Sequence, residues 1–60
     1  MDPANIRHTA EGMIRNFGAD ALKEAERVAR RYPKERDAAG WKVWLAVAEQ
    51  IRAIQLQPQG

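Results

Sequence analysis

The sequence contains no cysteine and no serine, and its only histidine is His8. Without cysteine, neither a disulfide framework nor a thiolate metal site can stabilise the chain, which argues against a secreted mini-protein. One histidine alone leaves no ligand set for zinc or another transition metal. Thr9 is the only Ser, Thr or Cys side chain, and with His8 beside it on a helix it completes no catalytic triad. We therefore predict a protein that is not an enzyme and that has no catalytic, metal-binding or cofactor-binding residues.

Long apolar runs are also absent. No stretch approaches the roughly 20 apolar residues that a membrane-spanning helix requires, and the start of the sequence lacks the basic and apolar regions of a signal peptide. We therefore expect a cytoplasmic protein with no membrane contact. With 60 residues the chain is long enough for one domain only, 1–60, and its last residues, 57–60, are expected to fray.

Charge of one sign is only slightly in excess, since 10 Lys and Arg stand against 8 Asp and Glu. This balance argues against nucleic acid as the main partner. Five cations nevertheless fall within ten residues and are called the basic cluster here: Arg27, Arg30, Arg31, Lys34 and Arg36. Cations near a helix end complement its dipole and keep a small protein soluble. The alternative is a weak binding site for nucleic acid or for an acidic protein surface.

The composition and the spacing of apolar residues predict an all-α protein. Ala, Arg, Glu, Leu and Lys dominate the chain, β-branched residues are few, and no Asn-Gly hairpin signal occurs. We predict three short helices, at about residues 3–17, 20–32 and 37–56. Because the apolar steps continue in helical phase across Gly18, a helical hairpin whose first arm is kinked near Gly18 is the alternative.

The predicted helix ends depend on a few capping residues. Asp2 precedes a proline and is suited to cap the first helix. Gly18 is suited to end this helix in the left-handed conformation, and Asp20 to cap the next one. Pro33 disfavours helical geometry in the residue before it, so the second helix should end near residue 32. Asp37 is expected to cap the last helix.

The last helix has one strong apolar stripe, formed by Trp44, Val47, Ala48, Ile51 and Ile54. A chain folded back on itself would bury this stripe against the first arm. We expect Trp44 at the centre of the core, because its neighbours form the best apolar set in the sequence. The expected partners on the first arm are Met13, Phe17, Leu22 and Val28.

A second set of apolar residues, Trp41, Leu45 and Leu56, lies on a flank about 60–120° away from the centre of that stripe. One intramolecular partner cannot cover both surfaces. Apart from the alanines and Met1, only fifteen apolar side chains are available, which is a thin core that a second copy would supplement.

We therefore predict a small interaction module that forms a homodimer through its last helix, with an unidentified protein as a further candidate partner. The interface residues are expected to be Trp41, Leu45, Ala48 and Leu56. Arg52 lies within this flank, where its stem could be buried and its head remain in water.

Small and apolar residues recur along the chain with a particular spacing: Met13-Ile14, Phe17-Gly18, Asp20-Ala21, Ala25, Ala29, Asp37, Gly40, Trp44, Val47-Ala48 and Ile51. This spacing resembles a group of small, uncharacterised helical proteins common in alphaproteobacteria. The resemblance covers roughly 40 residues, and most of its positions are packing positions. Pro33 departs from the group, in which a glycine is expected in the connection. The resemblance implies a bacterial helical protein and assigns no activity, cofactor or catalytic residue.

Overall fold

The computed structural model describes residues 3–56, and all of the regular structure in this range is helical. The elements are α1 (Pro3–Phe17), a 3-10 turn (Gly18–Asp20), α2 (Ala21–Ala29) and α3 (Ala38–Leu56). The all-α prediction is therefore confirmed. The predicted cap at Asp2 and the predicted fraying of 57–60 lie outside the described residues.

The chain forms a helical hairpin whose first arm, α1 and α2, is kinked at Gly18. Gly18 has φ +55°, the left-handed conformation predicted for it. The backbone N–H of Ala21 donates to the Gly18 carbonyl, so helical hydrogen bonding resumes at once. The prediction of three separate helices is wrong because no loop intervenes at the kink, and the alternative, a hairpin kinked near Gly18, is confirmed. Asp20 makes no side-chain capping bond, so its predicted role is also wrong; the 3-10 turn leads directly into α2.

The first arm ends earlier than the sequence predicts. α2 stops at Ala29, because the next backbone bonds are the tighter i to i−3 type, from Arg31 to the Val28 carbonyl (2.9 Å) and from Tyr32 to the Ala29 carbonyl (3.1 Å). The chain after α2 therefore makes one tighter, 3-10-like turn, and Pro33 ends it.

The connection between the arms is a compact turn that leads into a capped helix. The Pro33 carbonyl accepts bonds from the backbone N–H groups of Arg36 (2.9 Å) and Asp37 (2.8 Å). Oδ1 of Asp37 then accepts a 2.9 Å bond from the backbone N–H of Gly40. This is an N-cap, and it confirms the predicted role of Asp37.

Alanines form the first arm's side of the core. Both α1 and α2 pack against α3, and small side chains allow helix axes to approach closely. On α3, Val47 and Ile51 are the largest fully buried side chains. The other buried residues are Ala10, Ala21, Ala25, Ala29 and Ala48.

Two predicted core positions are wrong. Trp44 is only half-buried and packs at the edge of the core, whose centre is Val47 and Ile51. Together with Ile6, Met13, Ile14, Leu22 and Ile54, it surrounds the buried cluster instead of lying within it. Phe17, expected to face Trp44, is 45% exposed because α1 ends there, immediately before the kink.

None of the described helices has the length and apolar content needed to cross a bilayer.

Candidate interaction surface

Trp41 and Leu45 line an open groove of about 540 Å³ between α2, the connection and α3. Both side chains are half-buried, so each keeps apolar surface in contact with solvent. The walls of this groove, called the α2–α3 groove here, alternate apolar and charged residues. They are Glu26, Ala29, Arg30, Pro33, Lys34, Glu35, Trp41 and Leu45.

A smaller depression of about 170 Å³ lies next to the α2–α3 groove. Glu26 and Leu45 line both, so the two depressions are neighbours along the contact between α2 and α3. The residues of the smaller depression are Leu22, Glu26, Leu45, Ala48, Glu49 and Arg52.

The connection covers part of the flank that the sequence leaves open. Nζ of Lys34 lies 5.2 Å from the centroid of the Trp41 ring, within the range of a cation–π interaction. The aliphatic stem of a lysine in this position shields an aromatic face while the ammonium group stays hydrated. Trp41 is therefore half-buried within a single chain, rather than fully exposed.

The four predicted interface residues occupy different environments. Trp41 and Leu45 lie together in the α2–α3 groove, and Leu56, in the last turn of α3, is 72% exposed. Ala48 differs, because it is 6% exposed and belongs to the core. It lies at the border between the core stripe and the flank, where α2 covers it. Only the part of Ala48 that lines the smaller depression is open to another molecule.

The five residues of the basic cluster are all exposed, but they do not form one surface of a single sign. Arg30 and Lys34 line the α2–α3 groove together with Glu26 and Glu35. Arg27 instead lies 3.8 Å from Glu24. That pair belongs to a separate polar depression, lined by Asp20, Lys23, Glu24, Arg27 and Arg30. The cluster is therefore interleaved with carboxylates on two sides of α2.

The two side chains considered as candidates for catalysis, His8 and Thr9, lie on α1, outside the groove. His8 is exposed and Thr9 is half-buried. Among the described residues, no three His, Asp or Glu side chains come close enough together to hold a metal ion.

Sequence reasoning missed the contribution of α2 to the groove. Leu22, Glu26 and Ala29 follow one another at steps of four and three, so they share one face of α2. This spacing was available in the sequence and would have identified the wall opposite Leu45. The position of Lys34 over Trp41 had no such signal, because periodicity does not determine the path of a connection.

Comparison of the chain with protein-family models, curated proteins and solved structures finds no match to any of them. The resemblance to small alphaproteobacterial helical proteins stays a prediction, and the function has to be argued from the groove itself.

Proposed function

We propose that this chain is a small, non-enzymatic protein–protein interaction module that self-associates through α3 as a homodimer. The observation that supports the proposal is the α2–α3 groove, where Trp41 and Leu45 retain open apolar surface on the same helix as the exposed Leu56. Contiguous apolar surface that a single chain leaves uncovered, especially where polar residues surround it, marks protein–protein interaction sites.

The size of the core supports the same proposal. Val47 and Ile51 are the largest of the fully buried side chains, and most of the other core residues are alanines. Small domains gain little stability from such a core and often supplement it by oligomerisation. Closed two-fold dimers are the commonest arrangement, and they place the same patch on both subunits.

Light scattering and sedimentation across a dilution series test the proposal. The parent chain should shift from dimer to monomer on dilution, and Trp41→Glu with Leu45→Glu should abolish the dimer by placing charge in the groove. A matched control introduces the same two charges on exposed positions elsewhere on α3, as Gln50→Glu with Ala53→Glu, and should leave the dimer intact. A parent that remains monomeric at hundreds of micromolar contradicts the proposal.

The second candidate is weak binding of nucleic acid or of an acidic surface by the basic cluster. The exposure of its five cations favours this candidate, while the carboxylates interleaved with them oppose it. Fluorescence polarisation with labelled oligonucleotides at several salt concentrations separates the two functions. We expect no salt-sensitive binding, and Arg30→Glu with Arg31→Glu should change stability by under about 1 kcal/mol. Steep salt-dependent binding that this variant loses would favour the second candidate.

A further inference from the structure

The flank of α3 has a symmetric residue pattern. Trp41 and Leu45 are four residues apart, and so are Arg52 and Leu56. Trp41 and Leu56 form an outer pair, and Leu45 and Arg52 form an inner pair. The midpoint of each of these pairs falls between residues 48 and 49. At 100° per residue, all four side chains lie within an arc of roughly 60°. When two copies of α3 pair antiparallel about that midpoint, the Trp41 end of one helix lies against the Leu56 end of the other.

We propose that two copies of this chain dock with their α3 helices antiparallel, the two-fold axis passing beside residues 48 and 49. Each Leu56 then packs on the partner's Trp41, and each Arg52 lies beside the partner's Leu45. The inference rests on the proposed self-association and adds to it the direction and the register of the pairing.

Exposure supports this register. Leu56 is 72% exposed, and the half-buried Trp41 and Leu45 line a groove open to solvent. The antiparallel register covers the most exposed large apolar side chain of one copy with the open apolar groove of the other. The aliphatic stem of Arg52 adds apolar contact against the partner's Leu45 while its guanidinium stays hydrated.

Charge complementarity supports it independently. Glu26 lines both depressions together with Leu45, so it lies beside the part of α3 where the partner's Arg52 arrives, and the chain's own Arg52 lines the smaller depression as well. In the part of the chain that the structure describes, neither Glu26 nor Arg52 forms an ion pair. The two-fold axis generates two such pairs between the copies.

A parallel pairing is disfavoured on the same grounds. It would set Arg52 against the partner's Arg52 and Lys34 close to the partner's Lys34, and like charges at these distances repel. In the antiparallel register Glu49 lies next to the axis, where the two Arg52 side chains flank the two carboxylates. The charges across the centre of the interface therefore run Arg52, Glu49, the partner's Glu49 and the partner's Arg52, so that each carboxylate has one cation beside it.

Site-directed cross-linking tests the register, because the chain has no cysteine of its own. A cysteine at position 49 would lie next to the axis, within the Cα separation that a disulfide tolerates. Mild oxidation should therefore link Glu49→Cys into dimers. Gln50→Cys is the matched control, since Gln50 is exposed on the same helix but points roughly 100° further round it, and should remain largely unlinked.

Charge reversal tests the ion pair. Glu26→Arg and Arg52→Glu should each raise the dimer dissociation constant several-fold, and the double variant should return it towards the parent value. Equal cross-linking at positions 49 and 50, or a double variant as weak as the single ones, overturns the antiparallel register while self-association stands. A parent that is monomeric in the dilution series overturns both.

Discussion

Gln55, near the end of α3, donates a 2.9 Å hydrogen bond from its side-chain Nε2 to the backbone carbonyl of Gly18, at the kink of the first arm. The two residues are 37 positions apart in the sequence. The same carbonyl accepts the backbone N–H of Ala21, which begins α2. A side chain of α3, the second arm of the hairpin, therefore stabilises the kink of the first arm.

Gln55→Ala should remove this tether and lower the free energy of unfolding by about 0.5–1 kcal/mol, since the bond is solvent-exposed. Gln50→Ala is the matched control, because Gln50 is exposed on the same helix and alanine is at least as good a helix former. Urea denaturation followed by circular dichroism measures both. Equal effects of the two substitutions would mean that the tether contributes nothing to stability.

Gly18→Ala should destabilise the fold by about 1–2 kcal/mol, because Gly18 has φ +55° and a Cβ in this conformation meets the following carbonyl. Apart from Gly18 itself and its two chain neighbours, no heavy atom lies within 4 Å of the position that the added Cβ would take, so the cost comes from the local backbone conformation and not from packing against the rest of the fold. Gly12→Ala, in the interior of α1, should instead stabilise the chain by about 0.5–1 kcal/mol. Opposite signs of the two changes in melting temperature are the expected result.

The parts of the fold that could be predicted are those that local chemistry determines. The left-handed glycine at Gly18 and the cap at Asp37 depend on a few neighbouring residues, and both are confirmed. The cap predicted at Asp20 failed for an equally local reason. The 3-10 turn that includes Asp20 brings the chain into α2 without an exposed helix start for a side chain to cap.

The centre of the core could not be predicted, because it depends on how closely the arms approach. A hydrophobicity pattern ranks Trp44 first on its stripe, but in the structure Val47 and Ile51 are buried against the alanines of the first arm and the indole packs at the edge of this cluster. The same limit applies to the groove. The sequence identifies Trp41 and Leu45 as part of one flank of α3. The position of Lys34 over the Trp41 ring, however, depends on the path that the connection takes in the folded chain.

Gly40→Ala should destabilise the fold by about 1 kcal/mol, even though alanine is ordinarily favoured within a helix. A Cβ on Gly40 would lie 2.8 Å from Oδ2 of Asp37 and 2.8 Å from Cδ1 of Tyr32, so the N-cap and the tyrosine ring would both have to move. Thermal unfolding measures the loss.

A double-mutant cycle identifies the source of this effect. In a Tyr32→Ala background the ring no longer obstructs the new methyl group, and the cost of Gly40→Ala should shrink. A cost that is the same in both backgrounds would assign the effect to Asp37 alone.

Ile51→Ala should strongly lower the free energy of unfolding. Ile51 is fully buried at the centre of the core, and truncating such a side chain costs about 2–5 kcal/mol through lost burial and the cavity that it leaves. The total stability of a domain of 60 residues is on the order of 3–9 kcal/mol. The substitution therefore removes a large part of this stability, and the urea concentration at the midpoint of unfolding, followed by circular dichroism, should fall accordingly.

Two graded variants separate this core effect from a general loss of helix stability. Ile51→Val should cost about 0.5–1.5 kcal/mol. Ile54→Ala removes an isoleucine that is only half-buried on the same helix, so it should cost less than Ile51→Ala. Measuring all three in urea at a fixed, low protein concentration keeps dimerisation from masking the loss. If Ile54→Ala proved as damaging as Ile51→Ala, the core would not be centred on Val47 and Ile51, because burial would then fail to rank the two positions.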